Sequence, residues 1–150
     1  MTASAKNTPL TDSAARLRMA IVRTARRLRQ EAASEAGGLT PTSTAALATI
    51  ERHGPLTPSE LAEFERVKRP TVTRTLGSLE REGLVERTAD PTDGRSTLVS
   101  VNAAGRERLR RLRGRKNAYL ARRMRSLSAD EVETLERAAE ILERMREEDP

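Results

Sequence analysis

Residues 69–101 constrain the fold most: a helix that is basic on one side runs straight into a tight hairpin. Pro70 fixes φ and lacks an N–H, so it suits a first helical turn and pushes Arg69 towards extended geometry. Val72, Leu76 and Leu79 then recur at helical spacing and predict a helix over 69–82 with one apolar stripe. At about 100° per residue the other side carries Pro70, Arg74, Ser78 and Arg81, flanked by Thr71 and Thr73. One side can bury in a small core. The other offers guanidinium and hydroxyl groups, which reach phosphates and base edges in a major groove. Lys68 and Arg69 flank the helix start, where phosphates are favoured. A basic face by itself is usually a solvated surface, so the following segment decides.

Gly83 ends the helix, and Leu84-Val85-Glu86-Arg87 reads as a short strand. Asp90-Pro91-Thr92-Asp93-Gly94 supplies turn chemistry, and Thr97, Val99 and Val101 alternate as a returning strand. Gly94 permits a tight turn with φ > 0, and Arg95 sits at the hairpin tip, where a guanidinium can enter a flanking minor groove. Asp93, two residues earlier, is expected to accept a hydrogen bond from that guanidinium and hold its direction. Before the basic helix, Thr57-Pro58-Ser59-Glu60 has capping-box spacing and opens a helix through Leu61, Ala62 and Phe64, with Phe64 expected in the core. Glu65 to Lys68 make the turn between the two helices. The segment 55–101 is therefore a winged helix-turn-helix, and its DNA-binding set is Lys68, Arg69, Pro70, Thr71, Thr73, Arg74, Ser78, Arg87, Asp93 and Arg95.

The run Thr71-Val72-Thr73-Arg74, then Leu79-Glu80-Arg81-Glu82-Gly83-Leu84-Val85, Arg87, Asp93-Gly94-Arg95, Val99, Val101 and Ala103-Ala104-Gly105 resembles the MarR family of bacterial transcription regulators. The match covers about a third of the chain, and its specificity lies in the ordered combination. Lys68 stands where the family often has a capping Ser. Gly77 lies mid-helix, at a cost of about 1 kcal/mol against Ala. Asn102 replaces the usual Thr before the next helix and is an equally good N-cap. The resemblance implies a two-fold dimer with interlocked termini, repression of nearby genes, and relief by a small aromatic acid held between the dimer helices and the winged domain. Arg123 and Tyr119 are candidates to line that pocket.

The flanks fit this organisation. Residues 1–11 are small and polar and are expected to be a disordered tail. Residues 12–150 are expected to form one domain, with dimerisation helices at 12–36 and 103–150 around the winged helix. Leu17, Ile21, Leu28 and Ala32 make the stripe of the first, which Gly37-Gly38 stops. Thr40-Pro41 caps a second helix through Ala45, Leu47 and Ile50 to His53-Gly54. Asn102 opens a strongly basic helix to about Ser126, with Leu109, Leu112, Leu120 and Met124 as its stripe and Gly114 as a candidate bend. Ser128 and Glu131 form a second capping box before a last helix bearing Val132, Leu135, Ala139 and Leu142. From Leu127 onward nine acidic residues stand against three basic ones, a charge complement to the basic first and fifth helices.

Composition narrows the function classes. The 28 Lys+Arg against 22 Asp+Glu leave a net charge of +6, which favours a polyanionic partner. With no cysteine there is no disulfide, thiolate zinc site or thiol switch. His53, the single histidine, has no cluster of ligands or triad partners near it in sequence, and suits a helix C-terminus. One Tyr and one Phe argue against a single-strand binder that stacks bases. No apolar run is long enough to span a membrane. The expected protein is mainly α with a small antiparallel β wing. It is a cytoplasmic homodimer, without cofactor or metal, that binds near-palindromic double-stranded DNA and is not an enzyme. A winged helix used as a protein-interaction module, or for sequence-independent architectural DNA binding, is the alternative.

Overall fold

The computed structural model describes residues 7–147, and the chain divides into two compact units between Lys116 and Asn117. The first contains α1 (Asn7–Glu31), α2 (Ala33–Ala36), α3 (Pro41–His53), α4 (Pro58–Glu65), α5 (Arg69–Arg81), β1 (Val85–Ala89) and β2 (Thr97–Val101). Helix α6 (Ala103–Met124) begins in it and ends in the second unit, which also holds α7 (Ala129–Glu147).

Helix α1 corrects the expectation for the N-terminus: residues 7–11 are helical, and only residues 1–6 of the expected tail lie outside the described residues. Pro9 falls in the first turn, where an absent N–H breaks no intrahelical bond, so the helix can start before it. Ala32 interrupts the helix with ψ near −1°, and after α2 the positive φ of Gly37 and Gly38 turns the chain. Thr40 then caps α3, its Oγ1 accepting the Ser43 N–H at 3.1 Å with Pro41 in the first turn.

The Thr57 capping box is complete. Its Oγ1 accepts the Glu60 N–H at 3.2 Å, and the Glu60 carboxylate accepts the Thr57 N–H at 2.7 Å. Helix α4 ends where Arg66 adopts a left-handed conformation, φ 51°, leaving only Val67 and Lys68 before α5. Helix α5 closes in a Schellman motif: the Leu84 N–H reaches the Leu79 carbonyl at 3.0 Å and the Gly83 N–H reaches Glu80 at 2.9 Å. Only glycine takes the φ of 67° at position 83 without steric cost.

Strands β1 and β2 pair antiparallel, with Val85 opposite Val101 and Arg87 opposite Val99. Leu56 adds an antiparallel bridge to Val99, so the segment before α4 is tied to the wing. Leu47, Ile50, Leu61, Leu76, Leu79, Leu84 and Val99 are fully buried together, joining α3, α4, α5 and the hairpin in one core. Each such side chain contributes about 1.5–3 kcal/mol by leaving water. This core fixes the pose of α5.

Phe64 is not part of the core. It is 51% exposed and stacks on His53, with ring centroids 4.4 Å apart and 15° between planes. Leu61 fills the core-facing position of α4, and Phe64, about 60° round the helix from it, sheds part of its water by covering the imidazole at the end of α3. Asn102 caps α6 as expected, its Oδ1 accepting the Gly105 N–H at 2.9 Å. The helix runs unbroken through Gly114. In the second unit Ser128 caps α7, with the reciprocal Ser128 N–H to Glu131 carboxylate bond at 2.8 Å.

Candidate nucleic-acid interface

Helix α5 presents the interface because its other side is committed. Val72, Thr75, Leu76 and Leu79 are buried, so Pro70, Thr73, Arg74 and Arg81 are left exposed opposite them. Thr71 and Ser78 are half-buried at the margins. The Thr73 hydroxyl donates to the Arg69 carbonyl at 3.1 Å, which uses its donor inside the helix. Lys68 occupies the N-cap position without a side-chain cap bond. The first N–H groups of α5 thus receive no cap from it, and its ammonium stands at the positive end of the helix dipole, which suits a phosphate bridging the two.

Two of the expected contact arginines are engaged within the chain. Arg69 donates from Nη2 to Ser59 Oγ at 2.6 Å, fastening the start of α5 to α4. Arg87 pairs through Nε with the Glu80 carboxylate, and its Nη1 lies 3.3 Å from Thr97 Oγ1. Arg87 therefore braces the wing against α5, with both partners still partly exposed. Neither Ser59 nor Glu80 was legible as a partner, because both contacts depend on how separate elements pack.

The hairpin tip differs from the expectation in the Gly94 backbone, which closes the turn without the left-handed φ, and in one bond. The Asp93 carboxylate accepts the backbone N–H of Arg95 at 3.0 Å, and no ion pair joins it to the Arg95 guanidinium among the described residues. A carboxylate two residues before a backbone N–H closes an Asx turn at lower cost than it can hold a long flexible side chain. Asp93 also receives the Ser96 N–H on its carbonyl at 3.0 Å. Asp90 repeats the device, accepting the Thr92 N–H at 2.9 Å and the Thr92 hydroxyl at 2.7 Å. The Thr92 backbone N–H, then its hydroxyl, hold the Asp90 carboxyl below the ordinary aspartate range. Arg95 is thus carried, exposed, on a turn made rigid by two acceptors.

Arg66 is a further exposed cation, outside the expected contact set. It lies in the turn two residues before Lys68, and its charge is visible in the sequence although its left-handed conformation is not. Among the described residues no group of three or more His, Cys, Asp or Glu could hold a metal ion, and no helix is long and apolar enough to cross a membrane. A cavity of about 520 Å³ lies within the first unit. It is lined by Leu28, Ala32, Ala36, Leu39 and Leu112, with Arg29 and Lys116 among its cationic residues. Arg123 and Tyr119 are not part of its lining; the Tyr119 ring instead has the Arg122 guanidinium 5.7 Å from its centroid.

A helix-turn-helix with a basic exposed face, followed by a basic-tipped two-stranded hairpin, defines a winged-helix protein of the DNA-binding class. A family model described as the MarR family matches residues 39–97. An uncharacterized HTH-type transcriptional regulator of Mycobacterium leprae is 36% identical over 134 residues, covering 89% of this chain and 92% of that protein. Its counterpart of Mycobacterium bovis is 37% identical with the same coverage. The crystal structure of a Pseudomonas aeruginosa protein assigned to transcriptional regulation shares 34% identity, with a TM-score of 0.82 over 93% of this chain and 96% of that one. The chain belongs to the MarR family: it is a DNA-binding transcriptional regulator and not an enzyme.

Proposed function

We propose that this chain is a sequence-specific repressor that binds near-palindromic double-stranded DNA as a two-fold homodimer in the cytoplasm. The observation that carries this reading is the exposed row of Pro70, Thr73, Arg74 and Arg81 on a helix whose opposite face is fully buried. Lys68 and Arg69 approach phosphates at the start of α5, while Thr71, Thr73, Arg74 and Ser78 face base edges. Arg95, on a turn set by Asp93, enters the adjacent minor groove, and Arg87 supports the wing from its first strand.

Exposed apolar side chains favour self-association. Leu10, Leu17, Ile21 and Val22 are exposed on α1, and Leu135, Ile141 and Met145 on α7. Covering them in a second copy removes apolar area from water, which provides most of the association free energy. Two-fold symmetry then sets two recognition helices on half-sites about 10 bp apart, and a promoter so occupied is closed to polymerase. The cavity beside α1, α2, α3 and α6 falls within the usual size range for small ligands. Its small apolar lining suits an aromatic ring, and Arg29 or Lys116 can pair a carboxylate, so a small aromatic acid is the effector we assign to it.

The test is selection from a random duplex library with the purified protein, followed by sequencing. Enrichment of a two-fold motif with half-sites about one helical turn apart is the expected result. Failure to bind naked duplex at moderate salt would favour a protein-interaction module. Binding that random-sequence competitor abolishes as readily as the selected duplex does would favour an architectural role. Either result sinks the proposal.

A further inference from the structure

Gly77 lies in the middle of α5, and nothing in the chain's own packing calls for glycine there. Among the described residues a Cβ built at this position meets no atom within 4 Å beyond the neighbouring backbone of its own helix, and its φ is not positive. The two usual structural reasons for a helix glycine, close approach by a neighbour and a left-handed backbone, are both missing. Gly114 of α6 shares the open surroundings. What separates the two is position. With about 100° per residue, Gly77 points away from the buried stripe of Val72, Leu76 and Leu79 and is itself half-buried between the exposed Thr73, Arg74 and Arg81. Pro70, Thr73 and Gly77 follow one another at i, i+3 and i+7 and form a single low row, flanked on one side by Arg74 and Arg81.

The chemistry of that row is donor-poor. Pro70 has no N–H, Gly77 has no side chain, and the Thr73 hydroxyl is already given to the Arg69 carbonyl at 3.1 Å. What the row offers a base edge is the Thr73 methyl, the proline ring and a hollow the size of a missing Cβ. In the major groove the feature that fits such a surface is the C5-methyl of thymine, the one apolar group displayed there. The guanidiniums alongside can reach the neighbouring guanine acceptors or phosphates.

We infer that Gly77 is a specificity-determining position: its missing side chain, between Thr73 and Arg81, admits a thymine methyl and lets α5 seat deeply in the groove. This rests on the DNA-binding reading above and adds to it the base that this row selects. A side chain at 77 would then strengthen the helix and obstruct the complex, two effects of opposite sign.

The experiment uses full-length protein and the duplex enriched from the random library. Gly77→Ala is expected to unfold at higher urea than the parent and to bind that duplex at least tenfold more weakly. Gly114→Ala, the control, is expected to raise the urea midpoint similarly with unchanged DNA affinity. Replacing thymine by deoxyuridine one position at a time removes only the methyl. At one position per half-site this should cost the parent about threefold to fivefold, and should cost Gly77→Ala much less. Parent-like binding by Gly77→Ala, equal weakening by Gly114→Ala, or the absence of any deoxyuridine-sensitive position overturns the inference. A parent protein that enriches no duplex at all would instead fail the DNA-binding reading itself, so the two failures are distinct.

Discussion

The carboxamide of Asn102 joins the end of the recognition helix to the start of α6: Nδ2 donates to the Gly83 carbonyl at 2.8 Å while Oδ1 accepts the Gly105 N–H at 2.9 Å. One side chain thus caps one helix and satisfies the left-handed residue that stops another. Asn102→Ala loses both bonds and is expected to cost about 2 kcal/mol, from a cap and a hydrogen bond at about 1 kcal/mol each. Asn102→Asp keeps the cap but sets a carboxylate against the Gly83 carbonyl, and should fall between the parent and the alanine variant. Urea denaturation of the three proteins checks the order; an aspartate variant as stable as the parent would mean the Gly83 bond contributes nothing.

Gly105 follows from the same junction. A Cβ there would lie 2.2 Å from the Leu84 carbonyl oxygen and 2.6 Å from Val101 Cγ1, and the first of these is backbone that cannot turn aside. Gly105→Ala should therefore lower stability by about 3 kcal/mol, although alanine is the better helix former by about 1 kcal/mol. The urea midpoint is the measurement, and a stabilised variant would show that α6 can lift off the hairpin freely.

Phe64 gives a case where the surface position sets the magnitude. Because it is exposed and touches His53 through a stacked ring, Phe64→Ala is expected to cost about 1 kcal/mol. A phenylalanine in the core would cost about 3–5 kcal/mol. A loss in that higher range, read from the same denaturation curves, would contradict the exposed placement.

What the sequence disclosed and what it hid divide along sequence distance. Capping at Thr57, Ser128 and Asn102, the stop at Gly83 and the alternation of Val99 and Val101 all involve residues a few positions apart, so each was legible. The stripe of α5 was legible because burial on one helix face follows from spacing alone. Phe64 was misplaced since periodicity marks it as apolar but not whether a neighbour covers it. Arg87 with Glu80, and Arg69 with Ser59, are seven and ten residues apart and meet only after α4, α5 and β1 have packed. The cavity was out of reach for the same reason: Leu28, Leu39 and Leu112 belong to different elements. At the hairpin tip the turn residues were legible, yet the choice of a backbone amide over a guanidinium as the partner of Asp93 was not.

The two ends of the α5 face should separate in their effect on DNA. Lys68 sits at the N-cap and reads no base, so Lys68→Ala should weaken all duplexes alike. It should also lower the slope of log K against log salt by about 0.9 for one phosphate contact. Arg74 lies opposite the buried stripe, and Arg74→Ala should reduce the ratio between selected and random duplex affinities. Titrations over a range of salt distinguish the two; an unchanged ratio for Arg74→Ala would remove it as a reader of sequence.

Arg95 is the residue on which the wing's role turns. It is exposed at the hairpin tip, and its backbone N–H is held at 3.0 Å by Asp93 rather than left to the solvent. Asp90, through Thr92, and the Asp93 carbonyl, through the Ser96 N–H at 3.0 Å, stiffen the remainder of the turn. A guanidinium presented from a rigid turn loses less conformational freedom when it enters a narrow minor groove, where the potential is most negative. Arg95→Ala should leave the fold unchanged and weaken binding of the selected duplex at least tenfold, about 1.4 kcal/mol. Asp93→Ala acts differently from an arginine substitution, because it frees the Arg95 amide and lets the tip move while keeping the positive charge. It also removes an acidic group from beside the phosphates. Its net effect should be smaller, and should shift towards tighter binding at low salt, where that repulsion is least screened. Titration of one duplex with both variants at two salt concentrations decides the matter: parent-like affinity for Arg95→Ala would mean that the wing stays clear of DNA.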